Sequence, residues 1–468
     1  MIHRTVPEGA ADAIALGDVL TGLSHALDLA EGHPAGHTAR ACLIGMRLAH
    51  IVGIRASDRT HLFYALLLKD AGCSSNAARV HELLGGSDQE AKRGVWLRDW
   101  RSLLQQAAYG LEYAGRGGTV WDRITHLARL AKAGPRGRRQ LFEIRCDRGA
   151  AIALDLGLSD STAAAIRTMD EHWDGGGEPR GLRQHDIPVL GRIISLAQVV
   201  EIFSHDRGPD AALDVAEARN GRWFDPDLVR ALRVLTKDRD FWPALNTEHP
   251  QRLVAAAEPT QFAVVADDPR MDRIAEAFAT VIDAKSPYTG EHSRRVADLA
   301  VAIASRLGFS KSHVARMRRA ALLHDIGKLG VPNSILDKPS TLTADEWRVV
   351  QQHPANTLQI LQAVPGFRDF AFDAACHHEK LDGSGYHRGY AADRLTPAAR
   401  ALAVADMTGA LLANRPHRGG LAPQDALGIL RADCARGAIC AASVAAVADF
   451  VAELDSIESR AIPHPVAV

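Results

Sequence analysis

The run Ala320-Ala321-Leu322-Leu323-His324-Asp325-Ile326-Gly327-Lys328 decides how this chain is read. An apolar stretch delivers a histidine and an aspartate side by side, and a glycine and a lysine follow within one turn. Imidazole and carboxylate are ligands that suit Fe, Mn or Zn. Lys328 lies three and four residues further on, so on a helix its ammonium would share their face. A cation beside a metal is what a phosphate oxygen needs. The dipeptide alone carries little weight, because it recurs at His185-Asp186 and His205-Asp206. What distinguishes His324-Asp325 is its surroundings.

Upstream stands Thr289-Gly290-Glu291-His292-Ser293, and downstream come Gln352-His353-Pro354, Cys376-His377-His378-Glu379 and Val404-Ala405-Asp406. This order resembles the HD superfamily of metal-dependent phosphohydrolases. The segment Asp382-Gly383-Ser384-Gly385-Tyr386-His387-Arg388-Gly389 is similar to the loop that names its HD-GYP subfamily. The resemblance covers about residues 270–455.

It implies two adjacent divalent metal ions, Fe or Mn before Zn or Ni. His292, His324, Asp325 and Asp406 would hold one, and His353, His377 and His378 the other, with Asp325 bridging. Two metals roughly 3.5–4 Å apart can share a hydroxide and neutralise phosphoryl oxygens, so no nucleophilic side chain is needed. Asp325 and Lys328 are then the catalytic residues. Lys328, Arg295, Arg388 and Arg400, with Arg294 beside them, are candidate contacts to a substrate phosphate or base. The activity implied is hydrolysis of the bacterial messenger cyclic di-GMP to linear pGpG, and onward to GMP in some members.

Two departures limit that reading. The Gly-Tyr-Pro triplet reads Gly385-Tyr386-His387, which removes proline's fixed φ from the loop and predicts weaker or slower hydrolysis. Tyr288 stands where some members carry a Glu for a third metal, which favours two. Three other readings stay open: hydrolysis of another nucleotide or phosphorylated metabolite, a sensing module without turnover, and a di-iron oxygenase. His387 favours the second, and Lys328 argues against the third.

At 468 residues the chain is long enough for two domains. Ala and Leu are abundant and aromatics make up 5 %, which favours helix over strand. No alternating strand pattern of useful length appears, so an all-α fold is expected. A net charge of −1 gives no global field for nucleic acid or an anionic membrane, while a cyclic dinucleotide or other phosphorylated small molecule is allowed. The six cysteines form no C-x-x-C pair, and no signal-peptide pattern or long apolar run appears, so a reduced, cytoplasmic protein is expected.

An internal repeat organises the chain. Adding 255 carries His37 to His292, Arg40 to Arg295, Gly53 to Gly308, Asp70 to Asp325 and Gly72 to Gly327. Adding 208 carries Asp174 to Asp382, Gly177 to Gly385, Arg192 to Arg400 and Ala197 to Ala405. The offsets differ by 47, so the first copy has an insert of that net length between Asp70 and Asp174, assigned to about Leu83–Arg138. Trp96, Trp100 and Trp121 suggest that it packs as helices. The first copy has Lys69 for His324, Met169 for His377, Asp170 for His378, Gln198 for Asp406 and Cys73 for Lys328. An ammonium where a ligand belongs repels a metal. Residues 12–235 are therefore expected to be a degenerate, metal-free HD-like domain that regulates or dimerises the protein, 236–269 a linker, and 270–458 the catalytic HD-GYP-like domain. The arrangement allows a homodimer.

Overall fold

The structure, a computed structural model, describes residues 14–98, 102–247, 250–259, 261, 263–286, 291–413 and 419–461. Trp100, Tyr288 and the Thr289-Gly290 pair lie outside them. The described chain is all-α. No strand forms among these residues, and three isolated bridges (Ala15 with Val265, Asn220 with Phe224, Asp382 with Ala391) are the β pairing present. Among the described residues no helix is long and apolar enough to cross a membrane.

The chain folds as two compact units. The first runs through Ala277 and includes Pro332–Ser334 and Ala363–Gly366; the rest forms the second. The helices are α1 (Leu16–Glu31), α2 (His37–Ile51), α3 (Ala56–Leu68), α4 (Ala77–Leu84), α5 (Asp88–Trp96), α6 (Leu103–Tyr113), α7 (Val120–Asp155), α8 (Asp160–Arg167), α9 (Val189–Arg207), α10 (Pro209–Ala218), α11 (Pro226–Leu235), α12 (Phe241–Leu245), α13 (Gln251–Ala257) and α14 (Asp268–Asp283). They continue as α15 (His292–Arg306), α16 (Lys311–Leu323), α17 (Asn333–Leu336), α18 (Ala344–Val350), α19 (His353–Ala363), α20 (Arg368–Ala375), α21 (Pro397–Leu412), α22 (Pro423–Ala435) and α23 (Ala441–Ala461).

The repeat is visible in the helix bounds. Adding 255 turns α2 into α15 and α3 into α16, and adding 208 turns α8 into α20 and the end of α7 into the end of α19. In the second unit α15 packs on α16 and α21; in the first, α2 packs on α3 and α9. The same buried carboxylate opens both bundles. Asp28 accepts from Thr38 N (2.9 Å) and Thr38 Oγ1 (2.7 Å), and Asp283 accepts from Ser293 N (3.3 Å) and Ser293 Oγ (2.7 Å). Such caps satisfy orphan N–H groups at a helix start and are worth about 1 kcal/mol each.

The extra length of the first copy forms α4, α5, α6 and the first half of α7. It has its own small core of Val80, Leu84, Ala91, Tyr109 and Ala114. Trp96 is buried, whereas Trp121 is 77 % exposed. The stretch expected to be a linker is not a bare connection. It carries α12 and α13, and Glu258 at the end of α13 accepts from the buried Tyr64 hydroxyl at 2.8 Å.

Helix ends follow local chemistry. α3 has Arg55 as its N-cap, without a side-chain bond. α16 stops at Leu323, because the chain tightens after His324 into the 3-10 turn Ile326–Gly330. The capping box at Thr343 forms, with Glu346 N to Thr343 Oγ1 at 3.3 Å and Thr343 N to Glu346 Oε2 at 2.7 Å. The helix it opens ends at Val350, and α19 then starts independently at His353.

Candidate metal centre

Five segments of the second unit converge on one buried cluster. α15 begins with His292, α16 hands over to His324 and Asp325, α19 begins with His353, α20 leads into His377 and His378, and α21 carries Asp406. Their ligand atoms form two groups: Asp325 with His353, His377 and His378, and His292 with His324 and Asp406. All are buried except the half-buried His378.

Asp325 faces both groups. Its Oδ2 lies 3.3 Å from His324 Nε2 and 3.8 Å from His292 Nε2. Its Oδ1 lies 3.4 Å from His353 Nε2 and 3.5 Å from His377 Nε2. Asp406 Oδ1 is 3.2 Å from His292 and 3.5 Å from His324, and its Oδ2 is 3.7 Å from His378 Nδ1.

Three imidazoles are oriented by their own backbone. His324, His353 and His377 each have Nδ1 on the carbonyl three residues back, at 2.7 Å from Ala321, 2.7 Å from Val350 and 2.6 Å from Ala374. A carbonyl cannot donate, so the proton is on Nδ1. In the neutral rings each Nε2 lone pair then points into the cluster, the usual support for a metal-ligating histidine.

The turn after Asp325 is fixed by close backbone approach. A Cβ at Gly327 would stand 2.0 Å from the His353 carbonyl oxygen, so only glycine brings the two segments together. Thr357 spans the same contact, accepting from Gly327 N at 3.1 Å and donating to His324 O at 2.9 Å. Lys328 donates to Asp325 Oδ2 at 2.6 Å and keeps 20 % of its side chain exposed.

The electrostatics favour a cation. Burial opposes charge on His324, yet the Asp325 and Asp406 carboxylates outweigh it and raise its pKa to about 10. Burial would raise Asp325, but His324 and Lys328 hold it well below the usual carboxylate range. Burial depresses His353 to about 4 and, with His377 beside it, takes His378 well below its ordinary value. The cluster thus combines two ionised carboxylates with the uncharged rings of His353 and His378, and the carboxylates that hold a proton on His324 would equally hold a metal cation in its place.

Two observations test the fit of a metal. His324 Nε2 and Asp325 Oδ1 are buried with no hydrogen-bond partner among the described residues. His353 Nε2 and His377 Nε2 stand 3.1 Å apart with both protons committed to carbonyls elsewhere. Two lone pairs at that separation repel unless a cation lies between them, and ligand bonds of about 2.1 Å at a right angle would put the nitrogens ~3.0 Å apart. The donor set fits divalent ions.

The first copy replaces that chemistry with side-chain cations. Lys69, at the position of His324, binds Asp70, and its Nζ lies 3.1 Å from His37 Nε2. Burial and Lys69 keep the His37 pKa well below normal, so the ring is a neutral acceptor. Arg145, at the position of His353, binds Asp170, at the position of His378. Glu31, Asp70 and Cys73 also cluster. However, burial and then Glu31 hold the Cys73 thiol well above its ordinary pKa, and Lys92 sits 3.0 Å from Glu31.

The rim of the second unit carries the remaining candidates. Glu379, to which the sequence reading gave no role, accepts from Arg388 N (2.8 Å) and Tyr390 N (2.9 Å) and so pins the glycine loop. Its signal was the offset of 208, which matches it to Glu171, bonded to Arg180 N (2.7 Å) and Leu182 N (2.9 Å). Tyr386 stacks on His378 at 4.7 Å, and Trp347 meets Tyr386 edge-on at 5.9 Å. Arg388 is exposed and bonds His387 and Tyr390. Arg295 is half-buried. Arg400 is used differently from expectation: its guanidinium donates to Leu395 O (3.0 Å) and Ala392 O (2.6 Å), tying loop to helix. Arg294 donates to Thr280 at 3.1 Å.

Residues 125–228 and 276–436 match the HD domain family. The chain belongs to the HD-domain family, in its HD-GYP branch. It is 40 % identical over 421 residues to the 3'3'-cGAMP-specific phosphodiesterase 3 of Vibrio cholerae, covering 90 % of this chain and 91 % of that protein. The crystal structure of the V. cholerae cyclic GMP-AMP phosphodiesterase V-cGAP3 superposes with a TM-score of 0.65 at 34 % identity, over 96 % of this chain and 99 % of that one. The cyclic di-GMP phosphodiesterase response regulator RpfG of Xanthomonas campestris is 35 % identical over 161 residues, 34 % of this chain and 43 % of that protein. This HD-GYP chain is accordingly a metal-dependent phosphodiesterase built from tandem HD-type helical bundles.

Proposed function

We propose that the second HD copy hydrolyses a phosphodiester bond of a cyclic dinucleotide, with 3'3'-cGAMP ahead of cyclic di-GMP. The single observation behind the site assignment is Asp325, whose two carboxylate oxygens face two separate imidazole groups. Two bound divalent ions, Fe or Mn, would be held by His292, His324, Asp325 and Asp406 and by Asp325, His353, His377 and His378. There they supply Lewis acidity for the phosphoryl oxygens and a lowered pKa for water.

The chain's own groups do the rest. Lys328 is oriented by Asp325 and has further N–H donors for a non-bridging phosphate oxygen, where charge builds in the transition state. Arg295 and Arg388 are candidate contacts to the second phosphate or a base. Tyr386, stacked on His378, shields one side of the site, and Glu379 holds the loop that carries it. Water attacks phosphorus, one ester oxygen leaves with a proton, and a linear dinucleotide results. The first copy, with Lys69 and Arg145 in place of ligands, is read as metal-free.

The preference for 3'3'-cGAMP rests on extent. The relative named for that substrate matches through both copies, whereas RpfG matches over about a third of the chain. Cyclic di-GMP is the second reading, favoured by the glycine loop. The test is the full chain, loaded with Mn or Fe, given 3'3'-cGAMP, cyclic di-GMP and cyclic di-AMP separately, with products read by chromatography. The highest kcat/KM is expected on 3'3'-cGAMP. Faster turnover of cyclic di-GMP would reverse the order, and no turnover of any of the three would sink the reading.

A further inference from the structure

The first unit carries a half-open cavity of about 640 Å³ that the phosphodiesterase reading does not use. Its walls come from α4, α5, α6 and α7, and they are apolar: Val80, Trp96, Tyr109, Leu127, Leu130 and Phe142. Its volume falls in the usual range for sites that take small molecules. The insert supplies most of this wall. Arg145, which matches His353 of the second copy, forms part of the floor with Glu31, Asn76 and Lys92. The cavity therefore lies over the first copy's degenerate centre.

Charge on the lining is already cancelled. Lys92 faces Glu31 at 3.0 Å and Asp88 at 3.8 Å. Arg145 pairs with Asp170, and Arg138 lies 3.2 Å from Glu178. A charged ligand would bring its charge out of water to a place where each cation and carboxylate has a partner, which is costly. Two polar atoms are left over. Asn76 Oδ1, an acceptor, and Arg145 Nε, a donor, are buried without a hydrogen-bond partner among the described residues. Both side chains belong to residues about 6 % exposed.

We propose that the insert has turned the first copy's degenerate centre into a binding site for an uncharged, mainly apolar small molecule. The fitting class is an aromatic or branched alkyl compound with one carbonyl, amide or hydroxyl head. An oxygen of the head accepts from Arg145 Nε, an amide or hydroxyl head also donates to Asn76 Oδ1, and the body lies among Trp96, Tyr109, Leu127 and Phe142. A cyclic dinucleotide is the wrong chemistry, because its two phosphates need cations that are free.

Benzophenone is a suitable probe, being uncharged, aromatic, carbonyl-bearing and photoreactive. It is titrated into the full chain by calorimetry, and the complex is then irradiated and its adducts mapped by mass spectrometry. Gly110→Leu and Ala107→Leu fill the cavity from α6. A Cβ at Gly110 meets nothing closer than Leu127 Cδ2 at 3.5 Å, so the backbone tolerates it. The expected result is one saturable site per chain, adducts between residues 76 and 145, no displacement by 3'3'-cGAMP, and affinity lowered by about tenfold or more in both variants at unchanged turnover. No saturable binding, adducts elsewhere, displacement by 3'3'-cGAMP, or affinity that survives both substitutions would overturn the proposal. The adduct map is read on the unsubstituted chain, so it decides even where a variant fails to fold.

Discussion

His353 Nε2 and His377 Nε2 face each other at 3.1 Å, each with its proton on the far nitrogen, bonded to the carbonyl three residues earlier. Two acceptors at that distance call for a cation. Replacing either histidine with alanine should release metal from its group and remove turnover. His377→Gln, which restores an acceptor with the wrong reach, should not rescue it. Metal content by elemental analysis, beside turnover, checks this; a His377→Ala variant with full metal and full rate would contradict it.

Lys328 tests the phosphate side of the reading. Its ammonium is held by Asp325, but it is not itself a candidate ligand. Lys328→Ala should keep both metals while kcat/KM falls by a factor matching about 2–4 kcal/mol of transition-state stabilisation. Unchanged kinetics with metals in place would remove Lys328 from the mechanism.

In the first copy, Lys69 is a buried cation beside Asp70 and His37. Lys69→Met leaves the Asp70 carboxylate buried without its partner. The first unit should lose about 3–5 kcal/mol of stability, and Lys69→Met with Asp70→Asn should recover part of it. Denaturant unfolding of the three chains gives the comparison. Equal midpoints would mean that Lys69 does not compensate Asp70.

Asp28 predicts a pH dependence of stability. Burial pushes its pKa up to about 7, against about 3.9 in an unfolded chain. Between those values the native state retains a proton that the unfolded state has released, so this contribution is present at low pH and is lost as pH rises through about 7. Asp28→Asn cannot titrate, and its stability curve should be flatter between pH 4 and 7. Urea midpoints across that range decide; parallel curves would place the titration elsewhere.

Much of this was legible in the sequence because ligand order and repeat offsets are one-dimensional signals. The offsets of 255 and 208 reproduce the bounds of α15, α16 and α20 from α2, α3 and α8. The sequence brought His292, His324, Asp325, His353, His377, His378 and Asp406 forward, and the structure gathers all seven. What it hid were through-space matters. α19 went unassigned, although Pro354 sits in its first turn, where proline is well tolerated because its missing N–H costs nothing. Arg400 looked available for substrate until two backbone carbonyls claimed its guanidinium. Glu379 acts through backbone N–H groups nine and eleven residues away, which no local motif announces. Arg145 escaped notice because the insert separates it from Lys69, and only the second offset pairs it with His353.

The most direct test of the whole account is Asp325→Ala in the full chain, with metal content and 3'3'-cGAMP hydrolysis measured on the same preparation. Asp325 lies within 4 Å of two imidazoles of each group, so the account predicts about two metals and turnover in the unsubstituted chain, and loss of both in the variant. Retained metal and retained hydrolysis in Asp325→Ala would contradict it.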